Sequence, residues 1–260
     1  MLNLTSLKNK WIVITGASSG FGRAAAIAFA SRGACLFLGA RRIDLLNETA
    51  QLALETGATA AIASSLDVSS TSDVERFADR LMEHTSDVQV LINNAGGALG
   101  VDTVLEGKDS DWETMLQTNV LGLLRVSRRI IPMMLNTAGA NVINVGSIAG
   151  RIAYEGGSVY CGAKAAELQI TKALRLELCG TPIRVTSLDP GMAETNFSVV
   201  RYKGNLNKAA AVYQGVKPLC AEDIAETMLW IAERPPHVCI DELVIKPVAQ
   251  AAPYKVARNL

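Results

Sequence analysis

Short apolar runs rich in β-branched residues recur along the chain and alternate with longer stretches whose apolar positions repeat at helical spacing. Trp11-Ile12-Val13-Ile14 is the first run and Phe21 to Ser31 the first helical stretch. The pattern repeats as Cys35 to Leu38 with Ile43 to Glu55, Ala60 to Leu66 with Thr71 to His84, and Val88 to Ile92 with Asp109 to Leu135. Asn141 to Val145 with Ser158 to Leu178 comes next, then Ile183 to Leu188, a longer excursion, Ala221 to Ala232 and a last run near Leu243 to Ile245. Runs this short and this apolar fit strands covered on both faces, and seven of them alternating with helices predict an α/β fold. The expected architecture is a single, doubly wound domain: a seven-stranded parallel sheet with helices on both faces.

Nothing in the composition divides the 260 residues. There is no Pro-rich linker, charge block or low-complexity tract, so one domain is expected over 1–260, with a C-terminal tail at about 249–260. Lys plus Arg equals Asp plus Glu at 25 each, which leaves no global charge to recruit nucleic acid. No stretch approaches the roughly 20 apolar residues of a membrane span. The five cysteines, Cys35, Cys161, Cys179, Cys220 and Cys239, are scattered and form no C-x-x-C pair, which argues against disulfides and against a metal site. Buried thiols and a cytoplasmic protein are expected.

In doubly wound sheets, ligands bind beyond the carboxyl ends of the strands, where the strand order reverses. Gly16, Arg41, Asp67, Asn94, Ser147 and Pro190 each follow a different predicted strand. Thr15-Gly16-Ala17-Ser18-Ser19-Gly20-Phe21-Gly22 joins the first strand to the first helix, so backbone amides and the helix dipole face whatever fills the turn. Gly16 permits the turn, Gly20 admits a pyrophosphate to the backbone, and Gly22 lets helix and strand pack closely. The spacing G-x-x-x-G-x-G differs from the commoner G-x-G-x-x-G, but a strand before it and a helix after it mark a Rossmann-type dinucleotide turn.

After the second predicted strand, where an acidic residue would hold the ribose 2′-hydroxyl of NAD, the chain carries Arg41-Arg42. Two guanidiniums suit a 2′-phosphate, so NADP(H) is the expected cofactor. Asp67, with Val68 beside it, either approaches the adenine amino group or caps the next helix. Tyr160 and Lys164 stand four residues apart, on one face of one helix. An ammonium beside a phenol favours the phenolate, so the pair can exchange protons below the ordinary phenol pKa of about 10.

With TGASSGFG at 15–22, NNAG at 93–96, Asn119 in TNV, GSIAG at 146–150, YCGAK at 160–164 and DPG at 189–191, the chain resembles the short-chain dehydrogenase/reductase family through essentially its full length. The resemblance implies a catalytic tetrad of Asn119, Ser147, Tyr160 and Lys164 and hydride transfer to or from a nicotinamide cofactor. Tyr160 would move the proton, Lys164 would keep the phenol acidic and hold the nicotinamide ribose, and Ser147 would bond the reacting oxygen. Asn119 would hold a water in a relay to the lysine. Cofactor contacts are expected from Gly16, Ser18, Ser19, Gly20, Phe21, Gly22, Arg41, Arg42, Asp67, Val68, Asn94, Ala95, Gly96, Tyr160, Lys164, Pro190, Gly191 and Thr195. The resemblance also implies a four-helix interface, hence a homotetramer or homodimer.

From Thr195 to Ala221 the chain carries Arg201, Lys203, Lys208 and Lys217 and no acid, a local cationic field in the stretch, about 192–220, that the resemblance implies is a substrate lid closing over the active site. Arg151 is a second candidate anchor for an anion, so Ser147, Tyr160, Arg151 and Arg201 are the expected substrate contacts. Gly156 and Gly157 leave little bulk near the reacting carbon. DWETMLQTN, Ser-Val-Tyr, Val-Arg-Tyr-Lys-Gly and Pro-Val-Ala-Gln resemble one branch of the family: NADP-dependent dehydrogenases of serine, allo-threonine and other 3-hydroxy acids, with sulfoacetaldehyde reductases beside them. A reductase of bulkier apolar ketones and a silent NADP-binding regulator are the alternatives. A scarcity of aromatic residues disfavours the former, and the four retained reacting groups the latter.

Overall fold

The structure, a computed structural model, describes residues 4–259; residues 1–3 and Leu260, which the expected domain and tail include, lie outside the described residues. In chain order the first half runs β1 (Trp11–Thr15), α1 (Gly20–Ala30), β2 (Cys35–Ala40), α2 (Ile43–Thr56), β3 (Ala60–Ser65), α3 (Thr71–Met82) and β4 (Val90–Asn93). The second half runs α4 (Asp109–Leu116), α5 (Gly122–Ile130), β5 (Asn141–Val145), α6 (Ser158–Glu177), β6 (Arg184–Pro190), α7 (Asn196–Arg201), α8 (Leu206–Ala211), α9 (Ala221–Ala232) and β7 (Glu242–Ile245). Strands β1 to β7 form one parallel sheet in the order β3-β2-β1-β4-β5-β6-β7, as the alternating pattern predicts.

Each central strand is apolar throughout because its side chains feed two cores in turn. Ile12 and Ile14 of β1, Val90 and Ile92 of β4, and Ile143 and Val145 of β5 pack with Phe29, Leu46, Ile224 and Met228 from α1, α2 and α9. Val13, Leu91 and Val142 point the other way, onto Val74, Phe77 and Leu81 of α3 and Val126 and Ile130 of α5. Buried Arg184 opens β6 and donates to the carbonyls of Ile231, Ala232 and Arg234 at the end of α9, satisfying the last turn of that helix.

Two expectations change. The helix expected over Asp109–Leu135 is not one α-helix: a π-helical turn, Gln117–Leu121, separates α4 from α5, and a 3-10 turn, Ile131–Met134, follows. The cysteines are all free, but only Cys35 and Cys161 are buried; Cys179, Cys220 and Cys239 lie at the surface. In the tail, Gln250–Ala252 and Lys255–Val256 pair as a small antiparallel hairpin, β8 and β9. The Gln250 Oε1 accepts from the Met192 amide at 2.7 Å, and Arg258 donates to the Gln214 and Val212 carbonyls. No described helix is long and apolar enough to cross a membrane.

Candidate active site

The strand order reverses between β1 and β4, and the loops after these two strands are tied together. Thr15 Oγ1 accepts from the amides of Asn94 and Ala95, at 3.0 and 2.9 Å, and Asn94 Nδ2 donates to the carbonyls of Thr15 and Gly16. Gly16 has φ +68°, which favours glycine, and a Cβ on Gly22 would lie 2.5 Å from the Gly16 carbonyl oxygen. The turn therefore folds back on the start of α1. Ser19, the N-cap of α1, makes no side-chain cap bond, so the first-turn amides face the cleft without that partner. Asn94, expected beside a ribose, is thus also the brace of the turn.

A cleft of about 850 Å³ opens along this edge of the sheet. Its walls include Gly16, Ser18, Ser19, Gly20, Phe21, Arg41, Arg42, Asp67, Val68, Asn94, Ala95, Gly96, Ser147, Tyr160, Lys164, Pro190, Gly191, Thr195 and Arg201, whereas Gly22, Asn119 and Arg151 are not part of them. At one end Arg42 Nη2 donates to Ser18 Oγ and Ser19 Oγ at 3.1 and 2.7 Å, which parks a guanidinium across the mouth of the glycine turn. Asp67 accepts from the amide and hydroxyl of Ser69; although burial opposes its charge, these bonds and Arg41 hold the carboxyl below its ordinary range. The side-chain cap of α3 is Ser70, not Asp67.

At the other end stand the four residues of the tetrad motif. Ser147, extended at the end of β5, accepts from the Ala149 amide at 3.1 Å, leaving its own hydrogen to be donated elsewhere. Tyr160, in the first turn of α6, packs on Phe197, with ring centroids 5.6 Å apart. Lys164 is one turn on and almost fully buried; its Nζ donates to the Val145 carbonyl at 2.8 Å and to Glu167 Oε2 at 2.7 Å. Asn119 lies in the π turn, 2% exposed, where it donates to the Gly97 and Met115 carbonyls and accepts from the Gly97 amide. The π turn is what turns an asparagine from a helix surface into the loop after β4.

Arg201 ends α7 and reaches across the cleft. It donates to the Tyr154 hydroxyl at 2.8 Å and to the Gly100 carbonyl at 3.2 Å, and its Cζ stands 5.8 Å from the centre of the Tyr160 ring. Among the described residues it makes no ion pair. Burial pushes the Tyr154 phenol up to about 12 against the pull of Arg201, so this neighbour stays neutral.

Arg151, an expected substrate contact, does not line the cleft. It is paired with Asp189, the buried first residue of the DPG turn, and with Glu242, which draws the guanidinium away from the cleft. Arg151→Ala is expected to lower stability by about 1–3 kcal/mol, because Asp189 loses its cation, and to leave substrate KM unchanged. Thermal melting and initial rates read these separately, and a raised KM at unchanged stability would restore the anchor.

The cationic field is also narrower than the sequence suggests. Lys203 is paired with Asp111, while Lys208 and Lys217 do not line the cleft. The bulk near the reacting centre comes from Tyr154, whose ring covers Gly157. Sequence reasoning missed Tyr154, Phe197, Arg258 and Glu167. Glu167, three residues from Lys164 on α6, had a readable signal in that spacing; the others reach the cleft only through the folding of loops and tail.

A short chain dehydrogenase family model matches residues 10–205. The chain is 41% identical over 257 residues to an NADP-dependent 3-hydroxy acid dehydrogenase of Schizosaccharomyces pombe, covering 98% of this chain and 99% of the relative. It is 43% identical over 241 residues to a sulfoacetaldehyde reductase of Chromohalobacter salexigens, covering 92% and 94%. A solved closed form of serine dehydrogenase complexed with NADP+ superposes with a TM-score of 0.88 at 35% identity, covering 96% of this chain and 100% of that one. With a seven-stranded parallel sheet, a glycine turn at its reversal point and near-complete coverage by these relatives, the chain belongs to the short-chain dehydrogenase family of oxidoreductases.

Proposed function

We propose that the protein is an NADP-dependent oxidoreductase that interconverts a small 3-hydroxy acid and its carbonyl form, with Tyr160 as general acid and base. The observation that carries the substrate class is Arg201: a guanidinium with only neutral partners, set over the Tyr160 ring inside the cleft. A carboxylate placed there would supply the missing counter-charge with its hydroxyl-bearing carbon toward Tyr160.

The cleft fits a dinucleotide phosphate. The first-turn amides of α1, uncapped by a side chain, suit the pyrophosphate. Arg42, held by Ser18 and Ser19, and Arg41 beside it suit the 2′-phosphate. Asp67 and Val68 would border the adenine, Asn94 to Gly96 the adenosine ribose, Lys164 and Tyr160 the nicotinamide ribose, and Pro190, Gly191 and Thr195 the nicotinamide. When bound, the cofactor supplies or accepts the hydride. Tyr160 gives its proton to the carbonyl oxygen as that carbon is reduced, and takes it back in oxidation. Ser147 donates its free hydrogen to the same oxygen and stabilises the charge that develops there. Lys164 holds positive charge beside the phenol, and Asn119 fixes the loop behind it.

Initial rates at 340 nm with NADPH test this reading against malonic semialdehyde, sulfoacetaldehyde and a bulky apolar ketone in parallel, with NADH as control. One small anion is expected to react far faster than the ketone, and NADPH faster than NADH. Selective turnover of the ketone would overturn the acid reading, and a faster sulfoacetaldehyde would move the carboxylate reading to a sulfonate. For assembly we propose a homotetramer or homodimer built on the exposed Leu116, Leu121 and Leu124 beside the π turn, to be read as mass in solution.

A further inference from the structure

We infer that Glu167 is a positioning residue for Lys164: a buried counter-charge that fixes the ammonium behind Tyr160 and sets the pH at which oxidation switches on. The inference rests on the proposed roles of Tyr160 and Lys164. The carboxylate lies one turn along α6, 2% exposed, with Oε2 at 2.7 Å from Lys164 Nζ. Together with the Val145 carbonyl it occupies two of the three ammonium hydrogens and leaves one for the cleft.

A cavity of about 10 Å³ lies against the pair, lined by Thr15, Asn93, Asn119, Lys164 and Glu167 among others. That is close to the space of one water, and Asn93 Oδ1, buried without a partner, supplies an acceptor for it. The small chamber behind the lysine therefore has room for a proton carrier beside Glu167.

The groups around Glu167 come from every neighbouring element. Tyr160, Lys164 and Thr171 share α6, and the Thr171 hydroxyl donates to the Glu167 carbonyl. Strand β5 presents the Val145 carbonyl, β4 Asn93, the π turn Asn119, and α5 the apolar Leu123 and Val126. Asp189, on β6, adds negative charge, although Arg151 and Ser187 bind it. Burial pushes the Glu167 carboxyl up to about 7, with Lys164 pulling against it and Asp189 adding to it. Burial opposes charge on Lys164 too, but Glu167 and Tyr160 hold it above the ordinary lysine range. Near neutral pH the carboxylate thus changes charge while the ammonium persists.

The sign follows. With Glu167 protonated, Tyr160 faces an unopposed ammonium; with Glu167 ionised, it faces a pair of zero net charge whose positive field is weaker. Glu167→Gln makes the first condition permanent, so proton loss from the active form should come at lower pH.

The test is kcat against pH in oxidation, with 3-hydroxypropionate and NADP+, for wild type, Glu167→Gln, Glu167→Asp and Tyr160→Phe. Glu167→Gln is expected to move the acid limb down by about half to one pH unit, and Glu167→Asp to lower kcat while keeping the wild-type limb. A folded Glu167→Gln with an unmoved limb overturns the inference, and so does a limb that moves up. If neither variant folds, the wild-type limb decides: two coupled ionisations spread it beyond a single-proton curve, and a single-proton curve overturns the inference. Tyr160→Phe separates the two readings. Retained turnover there removes the proposed mechanism itself, whereas a dead Tyr160→Phe beside an unmoved Glu167→Gln limb removes the Glu167 role alone.

Discussion

Tyr160→Phe is expected to lose turnover by about 100- to 10,000-fold, the range that a positioned general acid contributes, while NADPH binds within about twofold of wild type. The substitution removes one oxygen and little else. The ring keeps its contact with Phe197 and its place under Arg201, and α6 keeps its length. Lys164 keeps its bonds to Val145 and Glu167, neither of which passes through the phenol. Folding stability should therefore change little, and the loss should fall on kcat. Single-turnover rates together with a fluorescence titration of NADPH separate chemistry from binding. A variant turning over at a tenth of the wild-type rate or better would rule out Tyr160 as the proton donor.

The second large effect belongs to the cofactor. Joint replacement of Arg41 and Arg42 with alanine is expected to weaken NADPH by about 10- to 300-fold and NADH by no more than about threefold. Each charge-assisted bond to a phosphate is worth about 1.5–3 kcal/mol, and the equivalent of about one is at stake. Arg42 is the better placed, because two serine hydroxyls hold its guanidinium across the mouth of the turn. A preorganised fork loses little entropy on meeting a phosphate. Both arginines are exposed, and Arg42 gives the fold only its two bonds to Ser18 and Ser19, so melting temperature should change little. The ratio of dissociation constants for the two cofactors is the number to measure, and equal weakening of both would dismiss the 2′-phosphate assignment.

Much of the fold was legible because a parallel sheet needs apolar residues on both faces of every central strand. β5 was read to its observed limits, and β1 and β2 to within two residues, for that reason. The helix over Asp109–Leu135 misled because periodicity survives a single π turn, which only shifts the phase, and because the signals at Gly122, just after that turn, and Pro132, in the 3-10 turn, were read through. Arg151 and Arg201 were indistinguishable as letters. Each was an arginine near the expected site, yet one is claimed by Asp189 and Glu242, and the other has none but neutral partners. Asp189 is distant in sequence from Arg151, and nothing local marked it as a partner.

Sequence alone determined the α/β alternation, the glycine turn and its arginines, and the Tyr160-Lys164 spacing on one helix. These are local properties: strand and helix periods, backbone freedom at glycine and the pitch of a helix act over a few residues. Tertiary structure decided which charges are spent and which remain available. It tied Arg151 to Asp189 and Glu242 and set Arg201 across the cleft, turned Asn119 into the loop after β4, folded Arg258 back onto the Val212 and Gln214 carbonyls, and enclosed Glu167 with Lys164. Electrostatic roles depend on distance and burial in space, and those are settled only when segments far apart in the chain pack together.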